Sequence, residues 1–357
     1  MYIKKIILSN FRNYEEQEID FKNGINVFYG DNAQGKTNII EAIFLCAFGR
    51  SFRTIKEKEL ININNNDCRV TINYEKEDRS GTISIYISDK KQIQINGIKI
   101  KKLSELLGNI NIVIFSPDDI NILKGSPALR RRFLDMMIGQ LKPNYVYNLN
   151  MYLKTLEQRN NYLKQIKEKN KPEDLLDIWD EKLIEYSEII YNYRKEFIEK
   201  IINKINKIHS DITNANEKID IEYISNCENK KEFSDLLKNR RKLDIIKGFT
   251  TKGIHRDDFA VYINGQELSI YGSQGQHRTA ILSLKLSELQ VIKDEIDEEP
   301  ILLLDDFMSE LDVGRRENFL KNIIGTQVII TCAEKMEIFE KNKEEYNLFN
   351  VKNGKVY

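Results

Sequence analysis

One short stretch constrains the fold of this chain more than any other. It reads Gly30-Asp31-Asn32-Ala33-Gln34-Gly35-Lys36-Thr37. The stretch matches G-x-x-x-x-G-K-[ST] at every fixed position, with an apolar strand pattern before it and an apolar helix pattern, Thr37 to Phe48, after it. Such loops cradle phosphates in this strand–loop–helix context, so the sequence predicts a nucleoside triphosphate site in an α/β domain.

Three positions of this phosphate loop, residues 30–37, have distinct chemical roles. Gly35 lets the backbone curl so that its N–H groups and the helix N-terminus face the phosphates. Lys36 neutralises the β and γ oxygens, and Thr37 is expected to ligate Mg²⁺. We therefore expect residues 30–37 to bind ATP.

A second motif supplies carboxylates. The run Ile301-Leu302-Leu303-Leu304 predicts a buried strand that ends at Asp305 and Asp306. A magnesium ion held by a phosphate loop needs a carboxylate at the end of a neighbouring strand, and Asp305 is predicted to provide it. Asp306 is predicted to orient or deprotonate the attacking water. Lys36, Asp305 and Asp306 are thus the candidate catalytic residues; the alternative is that the two aspartates only cap the strand.

A third motif, Ser273-Gln274-Gly275-Gln276, precedes a predicted helix. Its hydroxyl, its glycine N–H and the helix dipole would all face one way, which forms a second phosphate-binding surface. One chain does not easily offer both surfaces to one nucleotide. We therefore expect Ser273 and Gly275 to reach the ATP of a second copy, so that ATP holds a head-to-tail homodimer together.

The remaining pattern predicts an α/β domain interrupted by helices. Strand alternation from Cys68 to Ile100, with an Asn96-Gly97 turn, indicates an antiparallel subsheet. Helical spacing replaces it after Pro127, and two heptad-like helices predict an antiparallel hairpin. We expect an ATPase head of residues 1–115 plus 246–357, with a mixed sheet and helices on both faces. Residues 116–245 are expected to form an inserted helical domain.

Charge and cysteine usage restrict the partners. The 357 residues include 55 basic and 55 acidic side chains, so affinity for DNA must come from local patches. The four cysteines show no CxxC spacing, which argues against zinc and favours a reducing cytoplasm. The longest apolar stretch is far shorter than the ~20 residues of a membrane span, so no membrane is expected. The candidate DNA-binding patches are Arg50 with Arg53, Lys56 and Lys58; Lys99 with Lys101 and Lys102; Arg130 to Arg132; and Arg240 with Arg241 and Lys242.

The order of these motifs resembles the ABC-type ATPase heads of chromosome-maintenance and repair proteins, and within that SMC-like class the RecF family most. The resemblance is carried by Asn10-Phe11-Arg12-Asn13-Tyr14, Phe28 to Asn38, Lys124-Gly125-Ser126-Pro127, Arg130 to Asp135, His255-Arg256-Asp257-Asp258 and Ser309-Glu310-Leu311-Asp312. It implies an ATP-dependent DNA-binding protein of recombinational gap repair, replication-fork maintenance and the SOS response, with RecR and RecO as partners. It also implies that residues 309–312 lie at a dimer interface. No role is assigned to residues 255–258.

Two departures from the broader ATPase class predict slow hydrolysis that acts as a timer. Asp306 replaces the usual glutamate, and Thr331 or Cys332 stands where a histidine often senses the γ-phosphate. Three alternatives remain open: a transport ATPase subunit, a structural DNA tether and a nuclease with an ATPase head.

Overall fold

The computed structural model describes residues 1–77, 79–213, 215–310, 319, 323, 325–333 and 346–357, with only the backbone of residues 309 and 310. Its contacts divide the chain into two compact units. Unit 1 comprises Met1–Asp119 and Glu288–Tyr357, and unit 2 comprises Ile120–Ser287.

The strands of the described residues are, in chain order, β1 (Tyr2–Phe11), β2 (Tyr14–Asp20), β3 (Ile25–Tyr29), β4 (Cys68–Lys76), β5 (Arg79–Ile87), β6 (Gln92–Ile95), β7 (Ile98–Lys99), β8 (Ile112–Phe115), β9 (Ile219–Ile224), β10 (Asp258–Ile263), β11 (Gln266–Glu267), β12 (Ile301–Asp305), β13 (Val328–Cys332), β14 (Tyr346–Lys352) and β15 (Lys355–Val356). The α-helices are α1 (Lys36–Phe48), α2 (Ile120–Lys124), α3 (Pro127–Gly139), α4 (Pro143–Lys169), α5 (Leu176–Thr213), α6 (Lys230–Lys247), α7 (Leu268–Tyr271) and α8 (Gln274–Ile296). Short 3-10 turns occur at Glu57–Leu60, Leu103–Glu105, Pro117–Asp119, Ile254–Arg256 and Phe307–Glu310.

Unit 1 contains a six-stranded sheet in the order β15-β14-β3-β13-β12-β8. The strands from β14 to β8 pair in parallel, and β15 folds back antiparallel on β14. Every residue of β8, β12 and β13 is buried, as expected for parallel strands covered on both faces. Because parallel strands all end at one edge, this sheet brings the ends of β3, β12 and β13 together.

A second sheet of unit 1 is antiparallel, in the order β2-β1-β4-β5-β6-β7. Its alternating apolar residues meet across the strands, as in the pairs Val70 with Ile85 and Ile72 with Ile83. The turn between β6 and β7 has Asn96 at φ 52° and Gly97 at φ 78°, as an Asn-Gly hairpin requires. The mixed α/β class and the antiparallel subsheet predicted from the sequence are thus confirmed.

Unit 2 is built on the helix hairpin of α4 and α5. Apolar residues from both helices pack into one cluster, which includes Leu163, Ile166 and Leu176. At 38 residues, α5 is roughly 57 Å long. Asn170 ends α4 in the left-handed conformation, which allows the chain to reverse. None of the helices in the described ranges is long and apolar enough to cross a membrane.

The boundary after the insertion differs from the expected residue 245. Residues 246–287 lie in unit 2, and the division falls within α8. The reason is the pairing of β10 with β9, which joins two segments that the sequence had assigned to different domains. The apolar spacing from Arg315 to Ile324 also predicts a helix, and most of these residues lie outside the described ones. Leu311 and Asp312 of the predicted interface segment lie outside them too.

Candidate nucleotide-binding site

The phosphate loop connects β3 to α1, and two of its residues must be glycine. Gly30 has φ 150°, and a Cβ there would lie 2.3 Å from the carbonyl oxygen of Val351. Gly35 has φ 115° and directly precedes α1. Side-chain-bearing residues rarely adopt either conformation, so the motif's glycines are set by backbone geometry. The loop therefore ends at a helix N-terminus, whose first N–H groups have no partners within the helix.

Lys36 lies inside this loop. Its side chain is 4% exposed, and its Nζ donates to the carbonyl oxygens of Gly30 at 2.5 Å and Asp31 at 2.7 Å. A buried ammonium is stable only with such acceptors around it. The loop thus concentrates positive charge at the start of α1.

Thr37 and Asp305 are in direct contact at the edge of the parallel sheet. Asp305 Oδ1 accepts hydrogen bonds from Thr37 Oγ1 at 2.8 Å and from Thr331 Oγ1 at 2.9 Å. Burial raises the pKa of Asp305, although these two hydroxyls and Arg53 oppose the shift. The structure therefore places the loop threonine next to the strand-end carboxylate, the two residues that the sequence predicts as magnesium ligands.

Asp306 follows in the left-handed conformation, with φ 48°. Its backbone N–H donates to Thr331 Oγ1 at 3.0 Å. Thr331 therefore fixes both aspartates, Asp305 through its carboxylate and Asp306 through its backbone. An aspartate is one of the few side-chain-bearing residues that adopt this conformation without great strain.

These residues border a cleft of about 1520 Å³ within unit 1. Of the predicted site residues, those that line it are Asn32, Ala33, Gly35, Lys36, Thr37 and Asp306. The cleft is also lined by residues 61–67 and by Tyr86, Ser88 and Asp89. Oxygen donors such as the Thr37 hydroxyl and the Asp305 carboxylate are the ligands that Mg²⁺ prefers, so the site fits a magnesium–nucleotide complex.

The sequence did not identify one part of this site, the turn between β1 and β2. Arg12, at φ 54°, lines the cleft and makes a two-pronged ion pair with Glu41, at 2.9 and 2.8 Å. Glu41 is fully buried in α1, where it also binds Ser51 and Arg53. A charged residue in an otherwise apolar helix signals such a partner, because a buried carboxylate must be paired.

Asn13 and Tyr14 from the same turn hold the loop backbone. Asn13 Nδ2 donates to the Gln34 carbonyl oxygen at 2.8 Å, and the Tyr14 hydroxyl donates to the Gly35 carbonyl oxygen at 3.1 Å. The turn thus contacts the phosphate loop directly.

The predicted second phosphate surface belongs to unit 2. Ser273 Oγ accepts from the Gln276 N–H at 3.2 Å, and Gln276 Oε1 accepts from the Ser273 N–H at 2.9 Å. This reciprocal pair is a capping box, which satisfies two of the free N–H groups at the start of α8. Gln274 Oε1 accepts from Lys124 Nζ at 2.7 Å. Apart from the chain neighbours of Gly275 and its own helix backbone, the Ser273 hydroxyl is the only described group within 4 Å of a Cβ placed on Gly275. Residues 273–275 are exposed at a helix N-terminus.

Several basic candidates for DNA contact bind carboxylates of their own unit. Arg130 forms a two-pronged pair with Asp258, at 2.5 and 3.0 Å. Arg241 pairs with Asp177 and Asp180. Asp257 is fully buried and accepts from Ser225 at 2.8 Å. Asp257 is therefore part of the core of unit 2, whereas Arg256 of the same segment is exposed.

Comparisons with known proteins agree with this geometry. The model of the RecF/RecN/SMC N-terminal domain family matches residues 2–356. The DNA replication and repair protein RecF of Acetivibrio thermocellus is 46% identical over 369 residues and that of Clostridium acetobutylicum 42% over 362, each alignment spanning 99% or more of both chains.

Solved structures are also similar to this chain. A structure of the recombination mediator protein RecF–ATP in the RecFOR pathway superposes with a TM-score of 0.93 at 40% identity, covering 100% of this chain and 97% of that one. An Smc head domain from Pyrococcus furiosus, at 18% identity and a TM-score of 0.59, covers 100% of this chain and 96% of its own and shares the fold alone.

Proposed function

This chain belongs to the RecF/RecN/SMC N-terminal domain family, and from that membership we propose that it is an ATP-binding protein of DNA replication and repair that acts in the RecFOR pathway. ATP binding drives dimerisation and DNA binding, and slow hydrolysis drives release. The contact between Thr37 and Asp305, 2.8 Å apart at the end of the phosphate loop, carries this proposal. It unites the two motifs, from opposite ends of the chain, that a triphosphate site requires.

The phosphate loop, residues 30–37, accounts for ATP binding. The N–H groups at the start of α1 and the Lys36 ammonium bind the phosphate oxygens, where the helix dipole also favours negative charge. Thr37 and Asp305 would hold Mg²⁺, which when bound neutralises charge on those oxygens. The raised pKa of Asp305 supports this role, because a cation would relieve the cost of a buried carboxylate.

Hydrolysis is assigned to Asp306. Its carboxylate lines the cleft, where it orients or deprotonates the attacking water. A side chain one methylene shorter than glutamate places that carboxylate further from the water. We therefore expect a weak, DNA-stimulated ATPase, with turnover well below the ~10 per second typical of enzymes.

Dimerisation is assigned to the segment Ser273 to Gln276. Its exposed hydroxyl and glycine stand at the N-terminus of a 23-residue helix, where N–H groups and dipole favour a phosphate. In a dimer, this segment of one copy would complete the nucleotide-binding site of the other copy. Two weak DNA-binding faces would then act on one duplex or gapped junction. RecR and RecO are the expected protein partners, and the cytoplasm is the expected location.

Nucleotide binding and turnover test the proposal. Lys36→Ala should weaken ATP binding by about 10-fold or more, because the loop loses a charge-assisted contact to the phosphates. Lys167→Ala, an exposed lysine of α4, is the control with the same loss of charge. Titration with a fluorescent ATP analogue and steady-state phosphate release provide the measurements. Wild-type protein that binds no ATP would refute the site, and turnover at or above ~10 per second would refute the timer.

A further inference from the structure

The C-terminal hairpin of β14 and β15 lies against the phosphate loop. β14 pairs in parallel with β3, the strand that leads into the loop, and Phe349 is opposite Phe28. Their rings stack 4.6 Å apart at 7°. The hairpin turns at Asn353 and Gly354, whose φ angles of 51° and 68° are those of an Asn-Gly hairpin. The turn thus emerges beside the loop.

Gln34 of the phosphate loop is hydrogen-bonded to the turn of the C-terminal hairpin. Its side-chain Oε1 accepts from the Asn353 N–H at 2.6 Å. Its carbonyl oxygen accepts from the Gly354 N–H at 3.2 Å and from Asn13 Nδ2 at 2.8 Å. Three donors from distant parts of the chain therefore hold one loop residue.

The packing at this contact leaves no room for side chains. A Cβ on Gly354 would lie 2.2 Å from the Asn13 carbonyl oxygen, and one on Gly30 would lie 2.3 Å from the Val351 carbonyl oxygen. Both are backbone atoms, which cannot swing aside as a flexible side chain could. The hairpin is therefore packed backbone to backbone against the loop at Gly30 and against the turn between β1 and β2 at Asn13.

We propose that the C-terminal hairpin positions the phosphate loop for nucleotide binding, with Gln34 as its anchor. The peptide bond is planar, so holding the Gln34 carbonyl also fixes the direction of the Gly35 N–H, which lies at the start of α1. The loop pattern leaves position 34 free, so a Gln there is explained by its partners in the hairpin and not by phosphate chemistry. Gln34 and Gly354 are positioning residues. This inference rests on the proposed ATP site. It assigns part of the affinity of that site for ATP to the contact between the hairpin and Gln34.

Gly354→Ala tests the inference, and the chain provides a matched control. Gly97 also follows an asparagine in a hairpin turn of unit 1, at φ 78°, but no atom of the described residues other than its chain neighbours lies within 4 Å of its Cβ position. Alanine should strain both turns equally, and only the change at Gly354 should also displace the loop. We expect Gly354→Ala to melt at a lower temperature than Gly97→Ala, because only its Cβ meets backbone atoms, so binding is measured at a temperature where both variants are folded. The Kd for a fluorescent ATP analogue, and KM for ATP, should rise about 10-fold for Gly354→Ala and stay at the wild-type value for Gly97→Ala.

Gln34→Met gives a second, milder test. Methionine has a similar length but no strong acceptor, so only the bond from Asn353 is lost. The Kd should rise about 5-fold, the effect of one neutral hydrogen bond. If Gly354→Ala and Gln34→Met bind ATP as tightly as Gly97→Ala, the inference is wrong while the ATP site stands. If wild-type protein and Gly97→Ala bind no ATP, the ATP site itself is wrong.

Discussion

At the scale of single residues, the site contains a conflict between stability and function at Asp305. The carboxylate accepts two hydroxyl hydrogen bonds, yet burial still raises its pKa. A group with a raised folded-state pKa binds its proton more tightly in the folded protein, so its ionisation lowers stability as pH rises. Asp305 is therefore retained at a cost in folding free energy, as is common for residues that bind metal or substrate.

Asp305→Asn should separate the two effects. The amide oxygen can still accept from Thr37 and Thr331, but the buried charge is gone. We expect the free energy of unfolding at pH 7 to rise by about 1 kcal/mol while ATP turnover is lost. Urea unfolding and phosphate release provide the measurements, with the exposed Asp211→Asn as a control. A variant less stable than wild type would contradict the cost assigned to the charge.

His255 predicts a pH dependence of stability. Burial lowers its pKa to about 4, while Tyr152 and the Thr250 carbonyl oxygen hold the neutral ring at 2.7 and 3.1 Å. Between pH 6.5 and 4 the unfolded chain binds a proton here that the folded chain does not, so stability falls as pH falls. From pH 7 to pH 5, wild type should lose roughly 2 kcal/mol more than His255→Gln. If urea unfolding showed that wild type and His255→Gln lose the same free energy of unfolding from pH 7 to pH 5, this prediction would be contradicted.

Which site residues the sequence could reveal depends on the range of their contacts. Gly35, Lys36 and Thr37 form one local motif, and Asp305 ends a strand of unmistakable apolar pattern. Gln34 differs, because its partner Asn353 is 319 residues away. No local pattern encodes that contact.

At the scale of elements, a buried arginine joins three helices of unit 2. Arg159 of α4 is fully buried and donates to Asp180 of α5 at 2.6 Å and to Asp244 of α6 at 2.8 Å. Arg159 therefore pairs with two buried carboxylates, one of which, Asp180, also pairs with Arg241. Removing one partner of such a group leaves uncompensated charge in the core.

Arg159→Ala should accordingly destabilise the protein by about 3–5 kcal/mol. Lys154→Ala, on the exposed face of the same helix, should change stability by less than about 0.5 kcal/mol. Urea unfolding compares the two variants. Equal midpoints would show that the network contributes nothing to the packing of α4.

The long, periodic elements were the ones that the sequence predicted well. The α4–α5 hairpin and strands β4 to β6 follow their patterns closely, because one face of each is buried along its whole length. β14 and β15 were missed, although Asn353-Gly354 is the same hairpin signal that identified the turn at residues 96–97. β14 pairs in parallel with β3 from the other end of the chain, and β15 pairs antiparallel with β14. The sequence of a strand carries little information about such distant partners.

At the scale of the whole molecule, the chain has no net charge, so its affinity for DNA must come from local basic patches. We therefore expect DNA binding to depend on nucleotide. Two faces that are weak alone should bind duplex only when ATP brings two copies together. We expect affinity for gapped duplex to be strongly ATP-dependent and to fall steeply with salt, because phosphate contacts release counterions. Fluorescence anisotropy with ATP, with ADP and without nucleotide measures this. Equal affinity for gapped duplex in all three conditions would contradict the proposal that ATP controls DNA binding.

The central claim is that each ATP is bound by the phosphate loop of one copy and by Ser273 of the other. Mixing two inactive variants tests it most directly. Lys36→Ala removes the loop contact and Ser273→Arg blocks the opposite surface, so a mixed dimer contains one site free of both changes. Neither variant alone should dimerise on ATP or release phosphate. Because neither variant pairs with itself, an equimolar mixture should form mixed dimers only, seen with ATP in sedimentation velocity. Each mixed dimer has one intact site of two, so the mixture should restore up to about one half of the wild-type sites. A mixture as inactive as its components, while wild type dimerises and hydrolyses ATP, would contradict the shared site.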